Sequence, residues 1–237
     1  RGIAWPTVCT LTWWNSPEGY QIFFNRDERK SRSPALTPAI HESGDARFLA
    51  PIDGNAGGTW LASNEKGLTV AILNFYEREA PEAARASFRS RGKLMMDLAG
   101  LTSLDAVGRW LLEEELSQYQ AFTLMAFSDR PSFQAWKWQW DGAELIGPNK
   151  APNLPVCSSS FLTEEVVETR RQLLQEMFQD PNADAEALHQ FHHENANGNP
   201  SAYTVLMNRP DAQTWSISRI RVGSAQIDFD YEALPPN

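Results

Sequence analysis

A chain of 237 residues with 42% hydrophobic side chains is long enough for one substantial core. Its 21 Lys and Arg against 30 Asp and Glu leave a net charge of -9 with no basic run or stripe, which argues against nucleic acid as a partner. Two distant cysteines make no disulfide framework, and no stretch approaches the ~18 apolar residues of a membrane span, so a small-molecule ligand in a reducing cytoplasm is the simplest expectation.

Residues 8–14, VCTLTWW, are rich in β-branched and aromatic side chains, and residues 15–19 have a turn composition ending in glycine. Residues 20–24 form a second apolar run, suited to a strand buried on both faces, which ends abruptly in Asn25, Arg26, Asp27, Glu28, Arg29 and Lys30. The two runs read as a β-hairpin whose pairing sets Cys9 opposite about Asn25, or opposite Arg26 after a slip of one residue. Either register puts a thiol beside a guanidinium, and a nearby positive charge favours the reactive thiolate. The alternative is that Cys9 is a small buried hydrophobe, or that the charges form an exposed loop.

Residues 31–53 carry Pro34, Pro38 and Pro51 among serines and charges and read as a long loop. Residues 54–58, GNAGG, lack the spacing of the common phosphate-binding loops, so a tight approach of backbone to strand is the expected use of those glycines. Residues 60–63 and 68–75 then form a second hairpin around the turn 64–67. The charged stretch 77–91 reads as solvated helix surface, though its arginines at 85, 89 and 91 would also suit an entrance for an anionic substrate. Helical periodicity follows over 93–101 and 104–116, the second opened by Ser103 as N-cap.

Strands return at 122–127 and 133–140, where alternation puts Trp136, Trp138 and Trp140 on one face, best used as core beneath helices. A loop at 148–155 leads to a short strand at 156–160 bearing Cys157, read as structural. Residues 162–179 form an amphipathic helix with Val166, Leu173, Leu174 and Met177 inward and Glu165, Glu168, Arg170 and Arg171 outward. In a helix at 183–193 the pair His189 and His193 has metal-ligand spacing, but without a third ligand no metal is expected. Strands at 203–208, 214–222 and 226–231 complete the chain. Hairpins, helices and strands in this order fit an α+β fold, with two antiparallel sheets sandwiched by helical layers in one domain over 1–237.

Cys9, the FFNRDE of 23–28, the GGTWLA of 57–62, the LNF of 73–75 and the SRG of 90–92 together resemble the NRDE family, also called the transport-and-Golgi-organisation family. The order and spacing match from Cys9 to Gly92, and a weaker likeness continues in the serine-rich strand near Ser159 and in YTVLMNRPDAQTWS at 203–216. The resemblance implies a branch of the N-terminal-nucleophile hydrolases, with a four-layer αββα sandwich. NEKGLTVAILNF at 64–75 is also similar to a segment of the choloylglycine hydrolase and penicillin V acylase family, in which an N-terminal cysteine attacks an amide.

Carried over by position, that likeness implies Cys9 as nucleophile, Arg26 beside it, Asp27 orienting the α-amine, and Asn74 with Ser159 as donors to the oxyanion. Asn25, Glu28, Trp60 and Arg91 are expected around the substrate, and no cofactor is implied. There are departures: Arg29 stands where the acylases place an aspartate, their late arginine has no counterpart at Ser201 and Ala202, and residues 1–8 precede Cys9. Those eight residues would be a leader or a vector-derived segment, and an upstream signal peptide stays open. A terminal amine is the base such a nucleophile brings with it, and a peptide nitrogen cannot replace it. Two functions therefore follow: a cysteine amidohydrolase of small acyl amides working through a thioester, or a protein that binds or traffics a lipid, an acyl-thioester or haem without turning it over.

Overall fold

The computed structural model describes residues 7–78, 87–158, 164–224 and 226–235. In chain order the first strands are β1 (Thr10–Ser16), β2 (Gly19–Arg29), β3 (Leu36–Ser43), β4 (Ala46–Ile52), β5 (Leu61–Asn64) and β6 (Leu68–Asn74). Two helices, α1 (Arg91–Ala99) and α2 (Leu104–Glu113), precede β7 (Phe122–Ser128), β8 (Gln134–Trp140), β9 (Leu145–Lys150) and β10 (Val156–Cys157). Helices α3 (Glu164–Met177) and α4 (Ala185–His192) are followed by β11 (Ala212–Gly223) and β12 (Ile227–Ala233). The chain divides into two compact units, the first made of Arg1–Ser33, Asn153–Arg221 and Asp228–Asn237, the second of Pro34–Pro152 and Val222–Ile227.

The first unit holds the five-stranded sheet, order β10-β1-β2-β11-β12. Pro17 and Glu18 close the β1–β2 hairpin, and its register pairs Ser16 with Gly19 and Thr10 with Asn25. Helix α4 lies on β1 and β2, and α3 packs on α4. Phe23 of β2 meets Leu174, Ala185, Leu188, Phe191 and Val205 in the core between sheet and helices, with Trp14, Leu173 and Met177 at its margin. Asp184 caps α4 by accepting from Glu186 N at 2.8 Å, which satisfies one of the four free amides of the first turn.

The second unit holds the seven-stranded sheet, order β3-β4-β5-β6-β7-β8-β9. Every residue of β7 is buried, as befits an inner strand. Helix α1 covers β5 and β6, and α2 lies over β7. Ser103 caps α2 by accepting from Ala106 N at 3.2 Å, as its position predicts. Two of the three tryptophans of the β8 stripe go to the core, Trp138 at 1% and Trp140 at 7% exposed, while Trp136 is half-buried; a Cβ on Gly108 of α2 would stand 3.6 Å from the Trp138 ring. The GNAGG and SRG glycines also find their reason here, since a Cβ on Gly58 would fall 2.2 Å from the Gly92 carbonyl carbon. Thr59 N donates to Gly92 O at 3.1 Å across the same contact, so the two motifs meet backbone to backbone.

Several expectations are corrected. Residues 31–53 are no loop but largely the β3–β4 hairpin. Its prolines are tolerated because β3 is an edge strand with a register shift between Leu36 and Ala39, and Pro51 lies beyond the β4–β5 pairs. Pro148 likewise sits in β9, the opposite edge, where a loop was expected. Residues 203–208 form no strand: Thr204 Oγ1 bonds with Ser201 and Leu206 and holds the stretch in bends, while Val205 turns into the core. Arg170, assigned to the outer face of its helix, is completely buried.

Candidate functional site in the first unit

The β1–β2 hairpin carries the site. Register Thr10↔Asn25, continued by one residue, brings Cys9 level with Arg26, the slipped alternative rather than the Asn25 pairing. Strand β2 does not stop at Phe24; it runs on through Arg29, so Asn25, Arg26 and Asp27 are 0%, 5% and 2% exposed instead of forming an open loop. The Cys9 thiol donates to the main-chain oxygen of Asp27 at 3.5 Å, and the Cys9 carbonyl accepts from Ser158 N at 3.0 Å. Cys9 as a residue is half-buried, and its thiol lies against the main chain of Asp27.

The electrostatics at Cys9 reverse the expected sign. Burial, followed by the Asp27 carboxylate, pushes the thiol up to about 12, and Arg26 is the weakest of the named influences on it. A guanidinium on the next strand does not offset the desolvation of a thiolate. Asp27 is itself pushed up to about 7 by burial, against the opposing pull of Arg170 and a 2.6 Å hydrogen bond from Thr214 Oγ1. Cys157, opposite Thr10, is also raised by burial.

Two further groups complete this cluster, and neither was picked out in the sequence. Arg170 of α3 donates through Nη1 to Val8 O and Thr10 Oγ1, both at 2.6 Å, and through Nη2 to Thr204 O at 2.7 Å. Its Nη2 stands 3.6 Å from Asp27 Oδ2, both side chains being 0% exposed. His192 is the second: Asn25 Oδ1 lies 2.7 Å from His192 Nδ1, and Asn25 Nδ2 donates to His192 O at 2.9 Å and Val205 O at 3.1 Å. Because both Asn25 amide hydrogens go to carbonyls, its Oδ1 must accept. His192 Nδ1 therefore carries the proton and its Nε2 accepts from Thr12 Oγ1 at 2.8 Å. Burial holds the His192 imidazole well below its ordinary value, consistent with this neutral tautomer.

Asn25 was expected to touch substrate; its amide hydrogens are instead spent inside the protein. Glu28 lies at the more open end of β2, where it accepts from its neighbour Arg29 N at 2.9 Å and approaches Arg32 at 3.7 Å. His193 has both ring nitrogens engaged, with the His189 carbonyl at 2.9 Å and Glu232 at 2.7 Å, and among the described residues no cluster of metal-binding side chains occurs. Ser159 lies outside the described residues.

Asn74, Trp60 and Arg91 belong to the second unit. Asn74 Nδ2 donates to Tyr76 Oη at 2.6 Å. Arg91 Nη1 donates to Ala121 O at 2.7 Å, the carbonyl that also receives Phe75 N, which ties the start of α1 to the end of β6. Trp60 is buried, its carbonyl taking the Ile72 amide. The same unit contains a cavity of about 270 Å³ whose lining includes Ile40, Phe48, Leu49, Ile227, Arg47 and Arg130, and none of the residues expected at the site. Among the described residues no helix is long and apolar enough to cross a membrane.

No curated protein matches the chain. Among solved structures it is similar to a mutant conjugated bile acid hydrolase from Clostridium perfringens, at 13% identity and a TM-score of 0.51, over 98% of this chain and 97% of that one. A variant of the same hydrolase gives 13% identity, a TM-score of 0.49 and 97% coverage of each chain. The first likeness is one of fold: an α+β chain with two antiparallel sheets and covering helices, as the N-terminal-nucleophile hydrolases have. The sequence pattern described as Transport and Golgi organisation 2 matches residues 8–222, and the chain belongs to that family.

Proposed function

We propose that this protein is a cysteine amidohydrolase of the N-terminal-nucleophile type, cleaving a small acyl amide through a thioester, in the cytoplasm and without a cofactor. The observation that carries the reading is the setting of Cys9: a half-buried residue at the head of a strand, its thiol hydrogen-bonded to the Asp27 main chain with a buried carboxylate and guanidinium alongside. With Val8 still attached the thiol is pushed up to about 12 and has no base, so the reaction needs the Val8–Cys9 bond opened to give Cys9 a free α-amine.

That amine takes the thiol proton as sulfur adds to the substrate carbonyl carbon. Collapse of the tetrahedral adduct breaks the carbon–nitrogen bond, and the departing amine leaves with that proton. Water then adds to the thioester carbonyl, releases the carboxylic acid and returns the thiol. A donor to the oxyanion of that adduct is worth about 3 kcal/mol where such groups have been removed.

The test is intact mass and N-terminal sequencing of protein made without a leader tag, followed by an acyl-amide panel on the chain beginning at Cys9. A thioester mass adduct and turnover that vanishes in Cys9→Ala are expected. Turnover by Cys9→Ala equal to the parent's would overturn the assignment. The protonated thiol favours a second reading, a binder of a lipid, acyl-thioester or haem, which a stable Val8–Cys9 bond with stoichiometric ligand retention and no turnover would support.

A further inference from the structure

Arg170 is a costly group to place where it is. A buried ion pair is often matched or exceeded in stability by apolar side chains of the same volume, so a guanidinium at 0% exposure is poorly explained by stability alone. Its contacts converge on both sides of Cys9. Nη1 holds the oxygen of Val8, the carbonyl of the peptide bond that ends at Cys9, and also Thr10 Oγ1 on the other side, each at 2.6 Å. Nη2 faces the carboxylate of Asp27, the residue whose main-chain oxygen receives the thiol.

We propose that Arg170 is a positioning residue of the Cys9 site in the chain whose Val8–Cys9 bond is intact, a single guanidinium that ties the main chain on both sides of the cysteine, through Val8 O and Thr10 Oγ1, to the Asp27 carboxylate. The inference rests on Cys9 being the reactive centre. Arg170 acts on the thiol through Asp27. Burial is the first cause that keeps Cys9 protonated, the charged groups adding to it are Asp27 and then Glu28, and the hydrogen bond to the Asp27 main chain and Arg26 oppose them. Those that bear on Asp27 are Arg170 from α3, Thr214 from β11 and Arg209 just before β11. On Cys157, across from Thr10, burial acts first, then the charge of Arg170 and the 3.8 Å contact with Thr10 Oγ1, with Asp27 and Arg171 contributing less.

Withdrawing the guanidinium lets Asp27 take up a proton, and the thiol then loses the anion that disfavours its ionisation. The experiment is the rate of iodoacetamide alkylation at Cys9 and at Cys157, resolved by peptide mapping between pH 7 and 9, in the parent, Arg170→Met, Asp27→Asn and the double variant. Expected at pH 8 is a several-fold rise at Cys9 in each single variant, no further rise in the double, and no rise at Cys157 in Arg170→Met. A folded Arg170→Met with the parental Cys9 rate overturns the proposal. So do single effects that add in the double variant, or a joint acceleration of both cysteines, which reports only a loosened core.

Should Arg170→Met fail to fold, Arg170→Lys decides, because it keeps the charge and loses the fork. A Cys9 profile displaced in the same direction by less than in Asp27→Asn is expected, and an unchanged profile in folded protein overturns the assignment. The readout is a thiol and not turnover. Failure of every acyl amide to react would defeat the amidohydrolase reading and leave this result standing, and the converse also holds.

Discussion

His192 Nδ1 and Asn25 Oδ1 lie 2.7 Å apart, and through that contact the α4 helix fixes the residue of β2 immediately before Arg26 and Asp27. Asn25→Ala would strip partners from His192 Nδ1 and from the His192 and Val205 carbonyls at once. A loss of about 3 kcal/mol is expected in urea unfolding at pH 7, where surface asparagine changes are usually within about 0.5 kcal/mol.

The same histidine predicts an acid limb. Its folded value is depressed by burial, so the unfolded chain binds the proton more readily, and the contribution to stability is intact above the ordinary value of ~6.5 and lost as pH falls below it. Unfolding free energy measured from pH 7 to 5 should decline more steeply in the parent than in His192→Gln.

Asp27 works in the opposite direction. Pushed up to about 7, its carboxyl binds a proton more tightly folded than unfolded, where ~4 is ordinary, so its contribution falls as pH rises between those values. Asp27→Asn removes that opposing slope, so its unfolding free energy should fall more steeply than the parent's as pH drops from 7 to 5, and a slope equal to the parent's would refute the assignment.

The meeting of Gly58 with Gly92 leaves no room for a methyl group. Gly58→Ala would place a carbon 2.2 Å from the Gly92 carbonyl carbon, and a loss of about 2 kcal/mol or more is expected on denaturation. Gly198→Ala, where φ is +88° and no atom lies within 4 Å, should cost only about 1 kcal/mol, from backbone strain alone.

In protein whose Val8–Cys9 bond is intact, the thiol at Cys9 should be a poor nucleophile. Raised to about 12, it should react with iodoacetamide at pH 7.5 at least about tenfold more slowly than a free cysteine of pKa ~8.5, after allowance for the greater reactivity of the more basic thiolate. Rapid alkylation with residues 1–8 attached would show that Cys9 draws on some other activating group.

Local pattern settled the elements whose signals are contained within a few residues. The β1–β2 hairpin follows from two apolar runs flanking Pro17 and Gly19, α2 from Ser103 ahead of a helical period, β7 from a short apolar run and β8 from alternation. The glycines at 54–58 announced a close backbone approach, though not that Gly92 would be the partner. Edge strands β3 and β9 escaped notice because proline weighs against a strand until its neighbours are known, and only sheet order reveals that one side of each needs no partner.

What the sequence by itself determined was the α+β class, the hairpin that carries Cys9, and the family to which its motifs belong. The tertiary structure decided the charge state of that hairpin. Arg170 reaches Val8 from 162 residues away, and on its own helix it reads as a solvent-facing cation. Desolvation and ion pairing depend on what surrounds a group in three dimensions, so the burial of Arg26, Asp27 and Arg170, and with it the protonated thiol, has no counterpart in any local pattern.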